Sequence, residues 1–289
     1  WVTLQENNAI AIVDLDRSRA CKLIDLGEID HSRPGHGLDP SDQDGGIRIA
    51  PHPVRGMFQP EGIALRTWQG KNYLLTANGG QPRTTNTWKE EERVANLPLD
   101  PSVYSPRHQN PHELGRLQVS KVRGDRNGDG LYERLYTLGT RSWSVWDDQG
   151  QLIWDSGDEI EQRMAQLLPG HFNADQDQGS PRDVRSDDRG PEPECLVIGE
   201  VAGHHYAFIG LERMGGVLVY DVSNPTRPAY VDYIDPRIFG GDPRKDTAGD
   251  LGPEGLLFIP APRSPNGKAL LIVCNEVSGS TTIYAIERK

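Results

Sequence analysis

Short apolar runs separated by Gly, Pro, Asn and Asp recur along the whole chain. In three of them Pro-Glu opens an apolar run, a turn follows, and a second apolar run ends in Asn or Glu. These copies cover residues 60–78, 193–212 and 253–276, and a partial copy covers 2–14. Repeated short β-type segments indicate a repeat architecture, for which four-stranded blades around one axis are the best match. The pattern predicts an all-β chain with a β-propeller fold.

The strand candidates group into roughly four to five blades. Residues 1–27 supply three strands, and 61–65, 73–77, 117–122 and 133–138 supply a second blade. A hairpin follows at 142–154, then a complete blade at 193–234 and three strands at 254–286. The last unit lacks an outer strand, and the segment after Trp1 resembles the middle of a blade. We therefore expect 1–289 to be one propeller domain or the C-terminal part of a larger propeller.

Three inserted segments, 28–59, 79–114 and 173–190, are rich in Gly, Pro and charged residues and are predicted to be long surface loops. Such loops on rigid scaffolds often carry function. One short helix is predicted over 159–168, where Ile160 and Met164 have helical spacing. Asp158 is its expected N-cap, and Pro169 follows its end.

The net charge and the cysteines indicate which binding partners are favoured. Formal net charge is -11, from 31 basic and 42 acidic residues, which disfavours nucleic acid and favours divalent cations. No apolar run approaches the ~20 residues of a membrane span. Cys21, Cys195 and Cys274 lack metal-ligand spacing. Cys195 and Cys274 are expected to be small buried residues, and a bond between these two stays open.

Residues 125–133 carry the sharpest chemical signal. Side-chain oxygens recur at positions 1, 3, 5 and 9, with glycine at 6 and a main-chain carbonyl at 7, a spacing that suits calcium; the predicted ligands are Asp125, Asn127, Asp129, Leu131 and Glu133. Position 12 is Tyr136 rather than Glu, which excludes an EF-hand. We expect the loop to close a β-hairpin; a well-solvated turn without an ion is the alternative.

A second acidic segment lies at 39–46. Asp39, Asp42 and Asp44 could hold a cation there, although their spacing fits no known loop as well. A plain acidic surface loop is the alternative.

Acidic residues also recur at equivalent places in the repeats. Glu61, Glu194 and Glu254 open first strands, and Glu6, Glu212 and Glu276 end second strands. First strands line the channel of a propeller, so these carboxylates are expected at one channel mouth, where they require cations, arginines or shared protons. The alternative is that each Glu stabilises a turn.

The sequence gives less support for an anion-binding site, a histidine metal site or a catalytic nucleophile. Arg48, Arg93, Arg189 and Arg213 lie in or beside the inserted segments and could bind a phosphate or carboxylate, or simply be solvated. The eight histidines show no paired metal spacing, and no nucleophile elbow or P-loop is present.

Segments 3–11, 37–46, 185–194, 207–213 and 248–255 resemble the choice-of-anchor I family. The resemblance covers essentially the whole chain. It implies a secreted or surface-anchored β-propeller with further blades ahead of segment 3–8; some bacterial members carry an alkaline phosphatase label. Gly79, where Glu is usual, and Cys195, where Gly is usual, depart from the family pattern.

These observations predict an extracellular, periplasmic or cell-surface protein that binds calcium and presents an acidic face to a ligand, mineral or partner. A further divalent metal is expected at the channel mouth. The expected partners are divalent cations, a phosphate-containing or surface ligand, and missing N-terminal blades. The alternative is a metal-dependent phosphoesterase that uses Glu61, Glu194 and Glu254 as metal ligands.

Overall fold

The protein is built from β-sheets and has one α-helix among its described residues. The structure, a computed structural model, describes residues 1–176 and 181–287. Four larger sheets follow one another along the chain and are numbered in that order. Sheet 1 contains Val2–Leu4, Ala9–Asp14 and Arg19–Asp25; sheet 2 contains Ile63–Trp68, Lys71–Asn78, Ser142–Asp147 and Leu152–Asp155; sheet 3 contains Pro193–Val201, His204–Leu211, Val217–Asp221 and Ala229–Ile234; sheet 4 contains Pro253–Ile259, Ala269–Asn275 and Ser280–Ile286.

Neighbouring sheets pack face to face through separate apolar clusters. Ile10 of sheet 1 packs with Trp146 of sheet 2, and Trp143 of sheet 2 meets Tyr220 of sheet 3 with ring centroids 5.0 Å apart. Phe208 of sheet 3 shares a cluster with Leu271 of sheet 4. The all-β prediction is therefore confirmed, as a series of stacked antiparallel sheets.

Two of the inserted segments form a core of their own. Leu38 and Val54 from 28–59 pack with Val94, Tyr104 and further apolar residues from 79–114 and its neighbours. The described chain also contains small sheets: Glu28–Asp30 with Arg55–Met57 and Tyr136–Leu138, Glu91–Arg93 with Gln118–Ser120, and Thr84–Thr85 with Trp88–Lys89. Short 3-10 helices lie at Gln5–Asn7, Val94–Asn96, Pro106–Gln109, Pro243–Lys245 and Ala261–Arg263. Strands of two or three residues are too short to show a period, so within 28–59 and 79–114 the sequence indicated only loops.

The predicted second blade has a different composition. The hairpin at 142–154, expected as a unit of its own, supplies two strands of sheet 2 through pairing of Ser142–Asp147 with Lys71–Asn78. The strands expected at 117–122 and 133–138 instead belong to the small sheets, where Gln118–Ser120 pairs with Glu91–Arg93 and Tyr136–Leu138 pairs in parallel with Arg55–Met57. The prediction grouped these strands into one blade because they follow one another in sequence, and this grouping gave them the wrong pairing partners.

The described part of 173–190 has no helix or strand, as expected of a loop, but several of its residues are buried rather than on the surface; residues 177–180 lie outside the described residues. Asn173, Asp183 and Ser186 are buried. Asn173 donates to Glu161 Oε1 at 2.7 Å, and Ser186 Oγ donates to Asp183 Oδ1 at 2.6 Å. Hydrogen bonds and ion pairs compensate the burial of these polar groups.

The predicted helix is present over Glu159–Leu167, but Asp158 does not cap it. The Asp158 carboxylate accepts the backbone N–H of Gly37 instead, at 3.0 Å. All three cysteines are free; Cys195 is buried as expected, whereas Cys274 is exposed.

Candidate functional site

Pro-Glu at the start of the repeats in sheets 3 and 4 coincides with a local irregularity that turns the Glu side chain out of the ladder. In sheet 3, Pro193 pairs with Leu211 and Cys195 with Gly210, so Glu194 is an extra residue. Glu254 is the extra residue at the same place in sheet 4. Such bulges re-aim side chains and are frequent beside functional sites.

The three repeats place their Pro-Glu segments side by side. The backbone N–H of Gly62 donates to the carbonyl of Glu194 at 2.8 Å, and Cys195 Sγ donates to the carbonyl of Pro253 at 3.3 Å. A Cβ atom on Gly62 would lie 2.6 Å from the Glu194 carbonyl oxygen, so the small residue after Pro-Glu permits this close approach.

The close approach brings the acidic side chains together. Glu61, Glu194 and Glu254 each offer one oxygen within 4.8 Å of the others, and Glu192, Glu194 and Glu212 form a second such group. Glu194 belongs to both groups and is 5% exposed. We call these five residues the carboxylate cluster. Equivalent Pro-Glu positions thus converge, as the repeats predicted.

Three arginines surround one end of the cluster. The Glu192 carboxylate accepts a short hydrogen bond from Arg185, and Arg189 Nε and Arg213 Nε lie 3.3 and 3.4 Å from its oxygens. Burial opposes ionisation of Glu192, but the guanidinium groups of Arg189, Arg185 and Arg213 together hold its pKa below the ordinary value. Glu192 is therefore ionised.

Three other acids of the cluster, the buried Glu194 and Glu212 and the exposed Glu254, behave in the opposite way. Burial, followed by the hydrogen bond and charge of Glu61, raises the pKa of Glu194. Burial and the charge of Glu192 raise the pKa of Glu212 against the influence of Arg213, and burial and the charge of Glu61 raise that of Glu254. Without a cation, Glu194 keeps its proton at neutral pH.

Two of the predicted channel-mouth residues lie at the edge of this site. Glu276 is close enough for its charge to raise the pKa of Glu254. Glu6 is exposed and belongs to neither acidic group; its neighbour Gln5 instead donates to Glu61 Oε2 at 2.8 Å.

Gly79 has a steric reason to be glycine. A Cβ atom at this position would lie 2.7 Å from Glu194 Oε1 and 3.0 Å from the Pro193 carbonyl oxygen. Any side chain at position 79 would therefore displace the central carboxyl group of the cluster.

The loop 125–133 is folded around its acidic side chains. Asp125 accepts the backbone N–H groups of Gly128 and Gly130 at 2.7 and 3.0 Å, and Asp129 Oδ1 accepts that of Leu131 at 2.8 Å. Asn127 Oδ1 accepts the N–H of Asp129, also at 2.8 Å. One oxygen each of Asp125, Asp129 and Glu133 lies within 4.8 Å of the others. The loop links two small sheets, rather than closing a hairpin as expected.

The second acidic segment has protein partners. Asp39 is buried and accepts the N–H of Arg48 at 2.7 Å; burial raises its pKa to about 7. Asp42 pairs with Arg116 at 2.7 Å, and Asp44 lies 3.5 Å from Arg48. In 1–176 and 181–287, these acids form no close group of three potential ligands.

The four singled-out arginines are likewise engaged with carboxylates. Arg48 lies beside Asp44, Arg93 pairs with Asp187 at 2.6 Å, and Arg189 and Arg213 face Glu192.

A family model for the choice-of-anchor I domain matches residues 1–225. The chain belongs to the choice-of-anchor I family. The chain is 29% identical over 187 residues to gigasin-3a of Magallana gigas, and this match covers 60% of this chain and 64% of that protein. It is 28% identical over 226 residues to the mesenchyme-specific cell surface glycoprotein of Strongylocentrotus purpuratus, covering 65% of this chain and 29% of that one. The match thus spans less than two thirds of either relative's length.

The sequence analysis missed three functional candidates of this choice-of-anchor I chain. Glu192 belongs to the carboxylate cluster, and Gln5 and Gln176 contact it, Gln176 by donating to Glu212 Oε1 at 2.8 Å. The sequence does contain a signal for Glu192, because Pro191-Glu192 directly precedes Pro193-Glu194 and repeats its pattern.

No helix among residues 1–176 and 181–287 has the length and apolar character needed to cross a bilayer.

Proposed function

We propose that this chain is an extracellular, cell-surface protein that binds calcium in loop 125–133 and presents the carboxylate cluster to a second divalent cation and its ligand. The observation that carries the proposal is the convergence of Asp125, Asp129 and Glu133 in a loop already folded by hydrogen bonds to its own side chains. A surface location is supported by the name of the Strongylocentrotus relative.

Calcium suits the chemistry of the loop. Three carboxylates within 4.8 Å repel one another, and a hard cation with oxygen ligands relieves that repulsion. Asn127 and the carbonyl of Leu131 would complete an oxygen shell. Gly128 and Gly130, at φ of 79° and 89°, allow the tight path of the loop.

The carboxylate cluster suits a divalent cation held by Glu61, Glu194 and Glu254. Glu192 is neutralised by arginines, so the other group, which does not contain Glu192, is left to bind a cation. A cation held there would keep open coordination positions for an anionic ligand, such as a phosphate-containing molecule or a mineral surface.

We also propose that the four sheets are part of a β-propeller. The contacts from Thr3 to the Glu61 carbonyl, from Gly62 to Glu194 and from Cys195 to Pro253 support a series of first strands around one axis. The outward faces of the first and last sheets expose apolar side chains, including Val2, Leu23, Leu257 and Ile283. Further sheets stacked on these faces would cover them.

Calcium binding can be tested with Asp129→Asn. The natural protein should bind one calcium ion in loop 125–133, and free calcium at 100 times Kd should stabilise it by about 2.7 kcal/mol. Asp129→Asn should weaken binding to this loop at least about tenfold, since a charged ligand is lost. Titration calorimetry and thermal melting measure both effects.

Asp100→Asn is the matched control. Asp100 accepts the N–H of Ser102 at 2.7 Å, as Asp129 accepts that of Leu131, but it belongs to no acidic group of three in the described chain. It should leave calcium affinity unchanged. No binding heat and no melting shift in chelator-stripped natural protein would remove the calcium proposal.

A phosphoesterase is the second candidate, supported by the convergence of Glu61, Glu194 and Glu254. It requires hydrolysis of an aryl phosphate that depends on added metal and disappears in Glu254→Gln. Absence of turnover with calcium, manganese and zinc would exclude it and leave the binding role intact.

A further inference from the structure

The predicted calcium loop, 125–133, lies between two strands that hold the inserted segments. Gln118–Ser120, before the loop, pairs with Glu91–Arg93 of the second inserted segment. Tyr136–Leu138, after the loop, pairs with Arg55–Met57 of the first inserted segment. The loop therefore connects the small sheets in which both inserted segments take part.

Tyr132, near the end of the loop, forms a further set of contacts with the second inserted segment. Its backbone N–H donates to the Pro98 carbonyl at 2.9 Å, and its carbonyl accepts the N–H of Asp100 at 3.1 Å. Leu99, between these two residues, pairs with Tyr132 as a parallel β-bridge, and both side chains pack against the core of the inserted segments. Three consecutive residues thus contact one residue of the loop.

The Asp100 carbonyl extends this contact to a turn. It accepts the backbone N–H groups of Val103 and Tyr104 at 3.1 and 2.9 Å. Tyr104 is 4% exposed and belongs to the same core. We call residues 98–104 the docked turn. Its hydrogen bonds to Tyr132 attach it directly to the loop.

The proposed calcium ligands are on either side of Tyr132. The Leu131 carbonyl and the Tyr132 N–H belong to one planar trans peptide unit, in which the two groups point in opposite directions. A calcium ion on the Leu131 oxygen would therefore hold the Tyr132 N–H toward the Pro98 carbonyl. The carboxylate of Glu133, the next proposed ligand, would fix the residue that follows.

Without a cation, the acidic side chains oppose this arrangement. One oxygen each of Asp125, Asp129 and Glu133 lies within 4.8 Å of the others, and repulsion among three carboxylates favours conformations in which they separate. Because Glu133 follows Tyr132 directly, separation of the carboxylates moves the backbone that holds the docked turn. A bound cation removes this repulsion.

We propose that calcium binding in loop 125–133 controls the docking of residues 98–104 against the loop. The bound ion keeps Tyr132 in position to hold the docked turn, and removal of the ion allows the turn to separate without unfolding of the four larger sheets. By linkage, the docked turn favours calcium binding to the same extent. This inference rests on the proposed calcium site and is independent of the carboxylate cluster.

The test is amide hydrogen exchange of the 289-residue chain, followed at single residues by NMR, in chelator and in free calcium at 100 times Kd. If the turn opens only after the ion leaves, exchange of the Asp100, Val103 and Tyr104 amides should slow up to about 100-fold in calcium. In chelator these amides should exchange faster than that of Leu271, a buried residue in the middle strand of sheet 4 that reports global unfolding.

Asp129→Asn and Asp25→Asn are the matched variants. At the same free calcium concentration, Asp129→Asn should show about a tenth of the slowing or less, because its affinity is about tenfold weaker. Asp25 accepts the N–H of Gly27 at 3.0 Å, as Asp129 accepts that of Leu131, but it lies in sheet 1. Asp25→Asn should keep the full slowing.

The outcomes separate this inference from the calcium proposal. No calcium binding by calorimetry would remove both. Calcium binding that slows exchange within the loop, but not at Asp100, Val103 and Tyr104, would overturn the control of docking and leave the calcium site intact. Equal exchange rates in chelator for these three amides and for Leu271 would also overturn it, because the turn would then open only when the whole chain unfolds.

Discussion

Glu192→Gln should lower the free energy of unfolding by about 3 kcal/mol, the lower end of the cost of breaking a buried ion pair. Glu192 is 1% exposed and lies among Arg185, Arg189 and Arg213. Removing its charge leaves these largely buried guanidinium groups under-compensated. Asp188 and Glu212 still pair with Arg185 and Arg213, at 2.7 and 3.2 Å, which limits the loss. Urea unfolding in the presence of a chelator measures the effect.

Glu194→Gln is the matched control, two residues along the same chain. Because the folded state must hold a proton on Glu194 that the unfolded chain has lost at pH 7, a neutral amide that can still donate to Glu61 should raise stability rather than lower it. Equal losses in the two variants would show that Glu192 and Glu194 carry the same charge, which contradicts the assignment of one ionised and one protonated carboxyl group.

The effect of Glu194 on the pH dependence of stability has a defined sign. Burial raises the pKa of Glu194 above its ordinary value of 4.5, so the folded state holds this proton more tightly than the unfolded chain. The linked stabilisation is fully present below pH 4.5 and is lost as the pH rises toward the folded-state pKa. Gln cannot titrate, so Glu194→Gln should become steadily more stable relative to the natural protein between pH 4.5 and 8.

The repeats predicted the strands of the site but not the geometry that makes it. Pro-Glu at 193–194 and 253–254 marked first strands and a common centre, and the acids do converge. The bulges that turn Glu194 and Glu254 out of the ladder depend on how two strands are paired, which a pattern along one strand does not contain. Gly79 was recognised as a departure, but its contact with Glu194 exists only in three dimensions.

The charged segment around 181–192 was misjudged for a different reason. Hydropathy counts Arg185, Asp187 and Glu192 as solvent-seeking, whereas pairing with opposite charges allows all three to be buried or nearly so. Asp183 is buried with a hydrogen bond from the Ser186 hydroxyl group. The segment thereby forms one wall of the carboxylate cluster. Burial of charge depends on partners distant in sequence, such as Arg93 for Asp187.

Arg141 connects this segment to the rest of the fold, and Arg141→Met should cost about 3 to 5 kcal/mol of unfolding free energy. Its guanidinium group donates to Glu161 Oε1 on the helix at 2.8 Å and to the carbonyl oxygens of Asp39, Ser186 and Asp188 at 2.7 to 2.8 Å. Methionine fills much of the space but makes none of these bonds. A buried carboxylate and three carbonyl groups would lose their donor.

Arg107→Met is the matched control for this substitution. Arg107 forms an ion pair with Glu113, but its side chain is 76% exposed, against 4% for Arg141. Exposed pairs contribute about 0 to 1 kcal/mol, so Arg107→Met should melt close to the natural protein while Arg141→Met melts well below it. Because Arg141 also holds the segment that supplies Glu192, its loss should increase protease cleavage within 181–192 before global unfolding. Similar melting of the two variants would mean that the Arg141 contacts do not hold these segments together.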